Sequence, residues 1–118
     1  MCRLISSLIL TTLLAGCAST PTDTRQAERH DFTSQQTPQN VAACLIRNAE
    51  NVSGAFSGYV RPGARPEVLE VTIRHSDAGA SVIADIEPTA QGSKYALWLS
   101  HQHFMFRGTL IQMIVKGC

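Results

Sequence analysis

The chain has 118 residues, of which 44% are hydrophobic and 16% charged, with a formal net charge of +1. That length allows a single domain and leaves no room for a separate cofactor domain, so we expect no cofactor. The hydrophobic content argues against a wholly disordered chain, and the balanced charge argues against nucleic-acid binding through phosphate neutralisation.

Residues 1–16 predict a signal peptide. A single basic residue, Arg3, precedes an apolar stretch of 13 residues from Leu4 to Gly16. A membrane-spanning helix needs about 20 apolar residues, whereas the apolar region of a signal peptide has about 7–15. The stretch therefore has the length of an export signal.

The residues that end this stretch, Leu14-Ala15-Gly16-Cys17, resemble the lipobox of bacterial lipoproteins. The resemblance implies cleavage before Cys17, diacylglycerol on its sulfur and an acyl chain on the new amino group. Several acyl chains on one residue anchor a protein stably to a lipid bilayer. Ala18 follows where an inner-membrane retention signal has Asp, which favours the outer membrane, facing the periplasm. The alternative is an ordinary signal peptide with a chance cysteine.

The segment 17–37 predicts the lipidated cysteine followed by a flexible tether. It is polar, it lacks apolar periodicity, and Phe32 is its single aromatic residue. Its length allows a span of at most about 70 Å when extended and about 25 Å as a random coil. We therefore expect the domain to stand off the membrane.

The folded domain is predicted to occupy residues 38–118 and to begin with a helix over 38–50. Thr37 suits the N-cap position and Pro38 the first helical position. Apolar residues then recur at helical spacing, as Val41, Ala42, Leu45, Ile46, Ala49 and Val52.

Four strands and a second helix are predicted to follow. The strands cover 55–61, 67–75, 80–87 and 93–101, with alternating apolar residues and turn residues between them. The second helix is indicated by the spacing of Phe106, Leu110, Met113 and Ile114 and ends at Gly117, although Gly108 within it leaves its start undefined. This order predicts an α+β domain with a four-stranded antiparallel meander.

The four cysteines separate by position. Cys2 leaves with the signal peptide and Cys17 takes the lipid, so Cys44 and Cys118 remain in an oxidising compartment. The simplest interpretation is one disulfide, with a redox pair or a metal site as alternatives. Closing that loop would stabilise the domain by about 4.5 kcal/mol in the chain-entropy model. Because bridged Cα atoms lie within about 7 Å, both helices must cover the same face of the sheet.

The hairpin turns at Ser76–Gly79 and Thr89–Gly92 predict the register of the last three strands. This register puts the apolar residues on the helix side by pairing Ile73 with Val82, Val71 with Ala84, Leu69 with Ile86, Ile86 with Tyr95, Ala84 with Leu97, and Val82 with Leu99. On the outer face it predicts an ion pair of Glu87 with Lys94 and two rows, Ser57–Thr72–Ile83–Trp98 and Tyr59–Glu70–Asp85–Ala96.

Three apolar side chains on that outer face, Trp98, Ile83 and Tyr59, are candidates for a partner-binding patch. Tryptophan and tyrosine often anchor protein interfaces. The alternatives are one exposed tryptophan covered by long side chains, or a small second core under the tether.

Glu70 and Asp85 are predicted to lie opposite each other, with Glu87 nearby. Paired carboxylates can perform acid–base chemistry if their surroundings separate their pKa values. The favoured interpretation is a solvated face on which Arg61, Arg74 or Lys94 relieves the repulsion.

His101 and His103 could place two metal ligands on one strand face. Zinc needs three or four ligands, and His75 lies at the far end of a different strand. We therefore interpret these histidines as loop residues and expect no metal site.

From Cys44 to Cys118 the chain resembles small uncharacterised proteobacterial lipoproteins, some from prophage-like regions. They share a cysteine in an early helix, alternating strands, a Gly-Ser before the last strand, here Gly92-Ser93, and a terminal cysteine. The resemblance implies the α+β fold and the disulfide, and it implies no particular activity.

The sequence thus predicts a non-catalytic lipoprotein that presents a binding or accessory domain to a protein partner in the envelope. Its first partner is the lipid bilayer itself, through acylated Cys17. An inhibitor or immunity lipoprotein acting against a hydrolase or toxin is the alternative. An enzyme built on Glu70 and Asp85 is a third, weaker possibility.

Overall fold

The computed structural model describes residues 20–100 and 107–118. The predicted signal peptide and Cys17 lie outside the described residues. None of the helices in those two ranges is long and apolar enough to span a bilayer. The elements are α1 (Pro21–Thr24), β1 (Arg29–Ser34), α2 (Pro38–Val52), β2 (Phe56–Pro62), β3 (Leu69–His75), β4 (Gly79–Thr89), β5 (Gly92–Leu99) and α3 (Arg107–Val115).

The predicted α+β class is confirmed, with one more strand and one more helix than expected. All five strands pair antiparallel in the order β1-β5-β4-β3-β2. Strands β2 to β5 are the predicted meander, and β1 is added at the open edge of β5.

The predicted register of β3, β4 and β5 is confirmed. Ile73 lies opposite Val82 and Ile86 opposite Tyr95, so the alternating apolar side chains point to one face. The predicted register of β2 is wrong by two residues, since Tyr59 rather than Ser57 lies opposite Thr72.

The connection between β2 and β3 explains that shift. The Gly63 N–H donates to the Val68 carbonyl at 2.7 Å, which closes the loop directly after Pro62. A Cβ on Gly63 would lie 2.7 Å from the Val68 side chain, so the closure needs glycine there. The loop therefore sets which residues pair. Its sequence contains no dipeptide that would predict a tight hairpin turn.

Helix α2 follows the predicted pattern and extends to Val52. The Thr37 hydroxyl accepts from the Asn40 N–H at 3.3 Å, as an N-cap residue should. Its buried face packs on the sheet closely enough that a Cβ on Gly58 would lie 2.6 Å from Ile46 Cγ1. Residues of both long helices share one core with the inner sheet face, among them Val41, Leu45, Leu110, Ile111 and Ile114.

The Cys44–Cys118 disulfide is present, with the two Cα atoms 5.7 Å apart. The pairing and the placement of α2 and α3 on one sheet face are both confirmed. Asn48 reinforces this junction, because its amide lies 2.8 Å from both the Ile114 and the Lys116 carbonyls at the end of α3. The last carbonyls of a helix generally lack partners within it, and Asn48 therefore caps the C-terminal end of α3 from the neighbouring helix.

The predicted flexible tether is wrong over residues 21–34. Strand β1 pairs with β5 along its whole length, from Arg29 opposite Trp98 to Ser34 opposite Ser93. Upstream of it, the Thr24 hydroxyl is buried and donates to the Ala80 carbonyl on β4 at 2.6 Å. This polar segment is held in place by backbone pairing and single hydrogen bonds. Such interactions need no apolar periodicity, so the sequence pattern does not predict them.

This segment covers part of the outer sheet face. Ile83 and Thr72 alternate with core residues and so point outward, yet both are fully buried. The predicted solvent-facing side of the sheet therefore has a second, thin layer built from residues 20–28.

Candidate functional site

Arg25 lies at the centre of the outer face, where its guanidinium binds carboxylates from two strands. Nη1 and Nη2 donate to the two Asp85 oxygens at 2.6 and 2.8 Å, a bidentate pair. Nη2 also lies 2.5 Å from Glu70 Oε2. Arg61 on β2 donates to the other Glu70 oxygen. These four side chains, here called the charge cluster, connect the N-terminal segment to β2, β3 and β4.

The strand register requires such a cluster. Glu70 and Asp85 are directly opposite each other, as predicted, and like charges in that position destabilise a sheet. The predicted relief by Arg61 is found at Glu70. The sequence pattern does not predict Arg25, which contacts both carboxylates, because Arg25 belongs to the polar segment that predicts a tether. The predicted row neighbour of Glu70, Tyr59, is replaced by Arg61 through the shift of β2.

The charge cluster keeps Glu70 ionised. Burial alone would raise the pKa of this carboxyl, whose residue is 8% exposed. Hydrogen bonds from Arg61 and Arg25 outweigh that burial and hold the pKa below its ordinary value of 4.5. A carboxylate held in this state is an electrostatic and structural partner at neutral pH and not a proton donor.

Trp98 is half-buried beside the charge cluster. The Arg25 Cζ lies 4.9 Å from the centroid of its ring and the Arg29 Cζ lies 5.6 Å from it. Both distances are within the range of cation–π attraction. Two guanidinium groups therefore contact the indole ring, which is not an isolated exposed side chain.

The three residues predicted as a binding patch do not form a continuous apolar surface. Tyr59 is 43% exposed, Trp98 is half-buried and Ile83 is fully buried. Ile83 is wrong as a contact residue because its side chain is fully buried. The alternative of a small second core under the N-terminal segment describes Ile83 correctly. Thr72 and Ile83 separate Tyr59 from Trp98 in their common row.

A groove of about 600 Å³ opens on the outer face beside Trp98. Strand β1 forms one wall and the β2–β3 loop contributes to the other, with β4 and β5 between them. We call this concavity the outer groove, and its lining residues are Arg29, Asp31, Phe32, Thr33, Ala64, Arg65, Val68, Asp85, Glu87, Lys94, Tyr95, Ala96 and Trp98.

Each charged side chain that lines the outer groove has an opposite charge within reach. The predicted pair of Glu87 with Lys94 is confirmed at 3.4 Å, and Arg65 also binds Glu87. Arg29 lies 2.9 Å from Asp31, and Asp85 belongs to the charge cluster. The walls are thus rich in charge but balanced in sign, which suits a mixed polar partner better than a simple anion or cation.

Metal chemistry finds no support in the described ranges. Across residues 20–100 and 107–118, no group of three or more His, Cys, Asp or Glu side chains could hold a metal ion. His75 lies against Phe56 in an edge-on contact with ring centroids 5.2 Å apart. His101 and His103 lie outside the described residues.

Comparison with protein-family models, with curated proteins and with solved structures finds no match to this chain. Its function is therefore inferred from its own residues and their geometry.

The burial of Ile83 can be tested by truncation. Ile83→Ala should lower the free energy of unfolding by about 2–5 kcal/mol, because it leaves a cavity in a closed site. Tyr59→Ala lies in the same row but is exposed, and its cost should stay below about 1 kcal/mol. Urea unfolding followed by Trp98 fluorescence measures both. Similar small losses for the two variants would contradict the covered outer face.

The charge cluster predicts a pH-dependent stability. At about pH 7, Glu70→Gln should lower the free energy of unfolding by about 1.5–3 kcal/mol, because hydrogen bonds to charged groups are lost. Since the pKa of Glu70 is lowered on folding, its contribution is complete above the ordinary value of 4.5 and is lost as pH falls through the folded pKa. The difference between wild type and variant should therefore shrink as the pH falls below 4.5.

The matched control for this titration is Glu50→Gln, an exposed position on α2. It should change stability little at any pH. A deficit of Glu70→Gln that stays constant from neutral to acidic pH would contradict the lowered pKa.

Proposed function

We propose that this chain is a lipid-anchored, non-catalytic binding module of the bacterial envelope that receives a protein partner in the outer groove. The observation that carries this proposal is the groove itself, a concavity of about 600 Å³ with walls from separate parts of the chain. Ligand and partner sites are typically concave and largely preformed.

The walls of the outer groove are held in place without a partner. The Ser93 hydroxyl, on a residue 1% exposed, donates to the Gln36 carbonyl at 2.6 Å and fixes the chain after β1. The β2–β3 loop is closed by Gly63 and Val68, and Arg65 connects it to Glu87 on β4. A site that is ordered in advance loses less conformational entropy on binding.

The composition of the groove favours a protein surface as the ligand. Trp98 and Arg29 are of the residue types that most often carry binding energy at protein interfaces. The balanced charges around them would pair with polar groups of either sign on a partner, which gives specificity more than affinity. A loop or a few side chains of a folded protein would fit these dimensions.

Binding is favoured over catalysis by the state of the carboxylates. General acid–base chemistry needs a carboxyl whose pKa is raised towards the working pH. The pKa of Glu70 is lowered instead, and the guanidinium of Arg25 occupies the oxygens of Asp85 as well. The charge cluster is therefore better suited to holding the outer face together than to moving protons.

The anchor is proposed from the lipobox-like run that ends at Cys17. A disulfide such as Cys44–Cys118 persists in oxidising compartments, which agrees with export. We place the domain in the periplasm, attached to the outer membrane through the acylated Cys17.

Cys17→Ser should move the protein from the membrane fraction to the soluble fraction, because the acyl chains have no other attachment point. Fractionation of intact cells, with the mass of the purified protein, measures this. The control is Cys2→Ser, which should leave the mature protein and its membrane attachment unchanged. A Cys17→Ser protein that stays in the membrane fraction would refute the anchor.

Photo-crosslinking should locate partner binding at the outer groove. A crosslinking amino acid at Thr33 or Ala64, two exposed lining positions, should give a discrete adduct in intact cells. The same amino acid at Gln39, exposed on α2 outside the groove, should give none. Equal adducts from all three positions, or none from the groove, would count against the proposed site.

A further inference from the structure

We infer that the lipid anchor holds the domain end-on, with the β3–β4 turn towards the bilayer and the outer groove turned away from it. This placement rests on the proposed lipidation of Cys17. The partner at the turn end is the lipid surface, and the outer groove is left open to the periplasm.

The connection between anchor and domain is short. Three peptide steps separate Cys17 from Thr20, which limits the reach to about 11 Å. Thr20 is already part of the fold, because its hydroxyl accepts from the Asp23 N–H at 3.2 Å and its own N–H donates to Asp23 Oδ2 at 3.4 Å. The N-terminal segment is folded from Thr20 onwards. The predicted distance of some tens of ångströms between the membrane and the domain is therefore not available.

The segment joins the sheet at a defined end. The Thr24 hydroxyl lies 2.6 Å from the Ala80 carbonyl and 3.1 Å from the Thr20 carbonyl. Ala80 is the second residue of β4, directly after the β3–β4 turn. The anchor consequently leaves the domain beside this turn.

The outer groove lies towards the other end of the same strands. Strand β4 runs 11 residues from Gly79 to Thr89, which at the usual rise is about 33 Å. Lining residues Glu87 and Lys94 belong to the far hairpin, and Arg65 reaches it from the β2–β3 loop. An anchor held within about 11 Å of Thr20, on the side of the β3–β4 turn, leaves this part of the groove well clear of the headgroups.

The connection stays short because release of the segment would be costly. Lifting residues 20–28 off the sheet would expose fully buried Ile83 and leave Glu70 and Asp85 opposed without Arg25. The hydrogen bonds lost with Arg25 join charged groups and are stronger than those between neutral groups. Strand β1, paired along its whole length with β5, holds the segment from its other side.

The inference can be tested by measuring the height of two positions above a bilayer. The mature lipidated protein carries an azide-bearing amino acid at Asp77 or at Ala90, both exposed turn residues at opposite ends of β4. Each is coupled to the same fluorophore and reconstituted in vesicles of phosphatidylethanolamine and phosphatidylglycerol with a headgroup-linked acceptor. Energy transfer should place position 77 closer to the bilayer by about 20–30 Å.

A lengthened connection is the matched control. An insertion of about fifteen Gly and Ser residues between Cys17 and Thr20 restores a random-coil tether of about 20 Å. The difference between the two positions should then be lost. A difference that survives the insertion, or equal transfer without it, overturns the inference.

Failure of the anchor has a separate signature. Cys17→Ser should show no transfer from either position and no association with vesicles. If the wild-type protein itself carries no acyl mass and does not bind vesicles, the proposed anchor fails and the orientation fails with it. A lipidated, vesicle-bound protein with equal transfer from positions 77 and 90 overturns the orientation alone.

Discussion

The outer half of this molecule, which comprises the outer sheet face and the N-terminal segment on it, depends on the contact of one arginine with two carboxylates. Glu70 and Asp85 are brought face to face by the register of β3 and β4, and without a cation between them they would repel. Arg25 supplies that cation and, in the same geometry, places residues 20–28 across the sheet. Ile83 becomes a core residue and Trp98 gains two guanidinium neighbours as a consequence.

The inner half has a different source of stability. There α2 and α3 bury an apolar core against the sheet, and the Cys44–Cys118 disulfide joins them at their contact. A domain of this size buries little apolar surface, so constraints of this kind have a large effect on whether it folds. The N-terminal segment adds a second layer and a fifth strand, and it therefore extends the core on the side that the helices leave open.

The same N-terminal segment contributes both to the stability of the sheet and to the proposed site. As β1 it forms one wall of the outer groove, and as the continuation of Cys17 it would transmit the position of the anchor to the sheet. A truly flexible tether would separate these roles, since the domain could then turn freely above the membrane. With the segment folded, the direction in which the proposed anchor would turn the groove is set by the fold.

Much of the inner half could be predicted from local patterns. Thr37 and the apolar spacing after it indicate α2, and the Asp77-Ala78-Gly79 turn with alternating residues around it indicates the pairing of β3 and β4. Once Cys2 and Cys17 are assigned to the predicted signal peptide and anchor, the count of remaining cysteines indicates the disulfide. These features depend on neighbours in sequence or on simple counting, so a single sequence is enough to find them.

The outer half was decided by the tertiary structure alone. Arg25 contacts residues 45 and 60 positions further along the chain, and β1 is a strand because β5 offers an unpaired edge. A polar segment stabilised by backbone pairing and ion pairs shows no hydrophobic period. The pairing of β2 likewise depends on how the Gly63–Val68 loop closes. The sequence by itself therefore determined the helix-covered core and its disulfide, whereas long-range pairing created the charge cluster, the outer groove and the folded N-terminal segment.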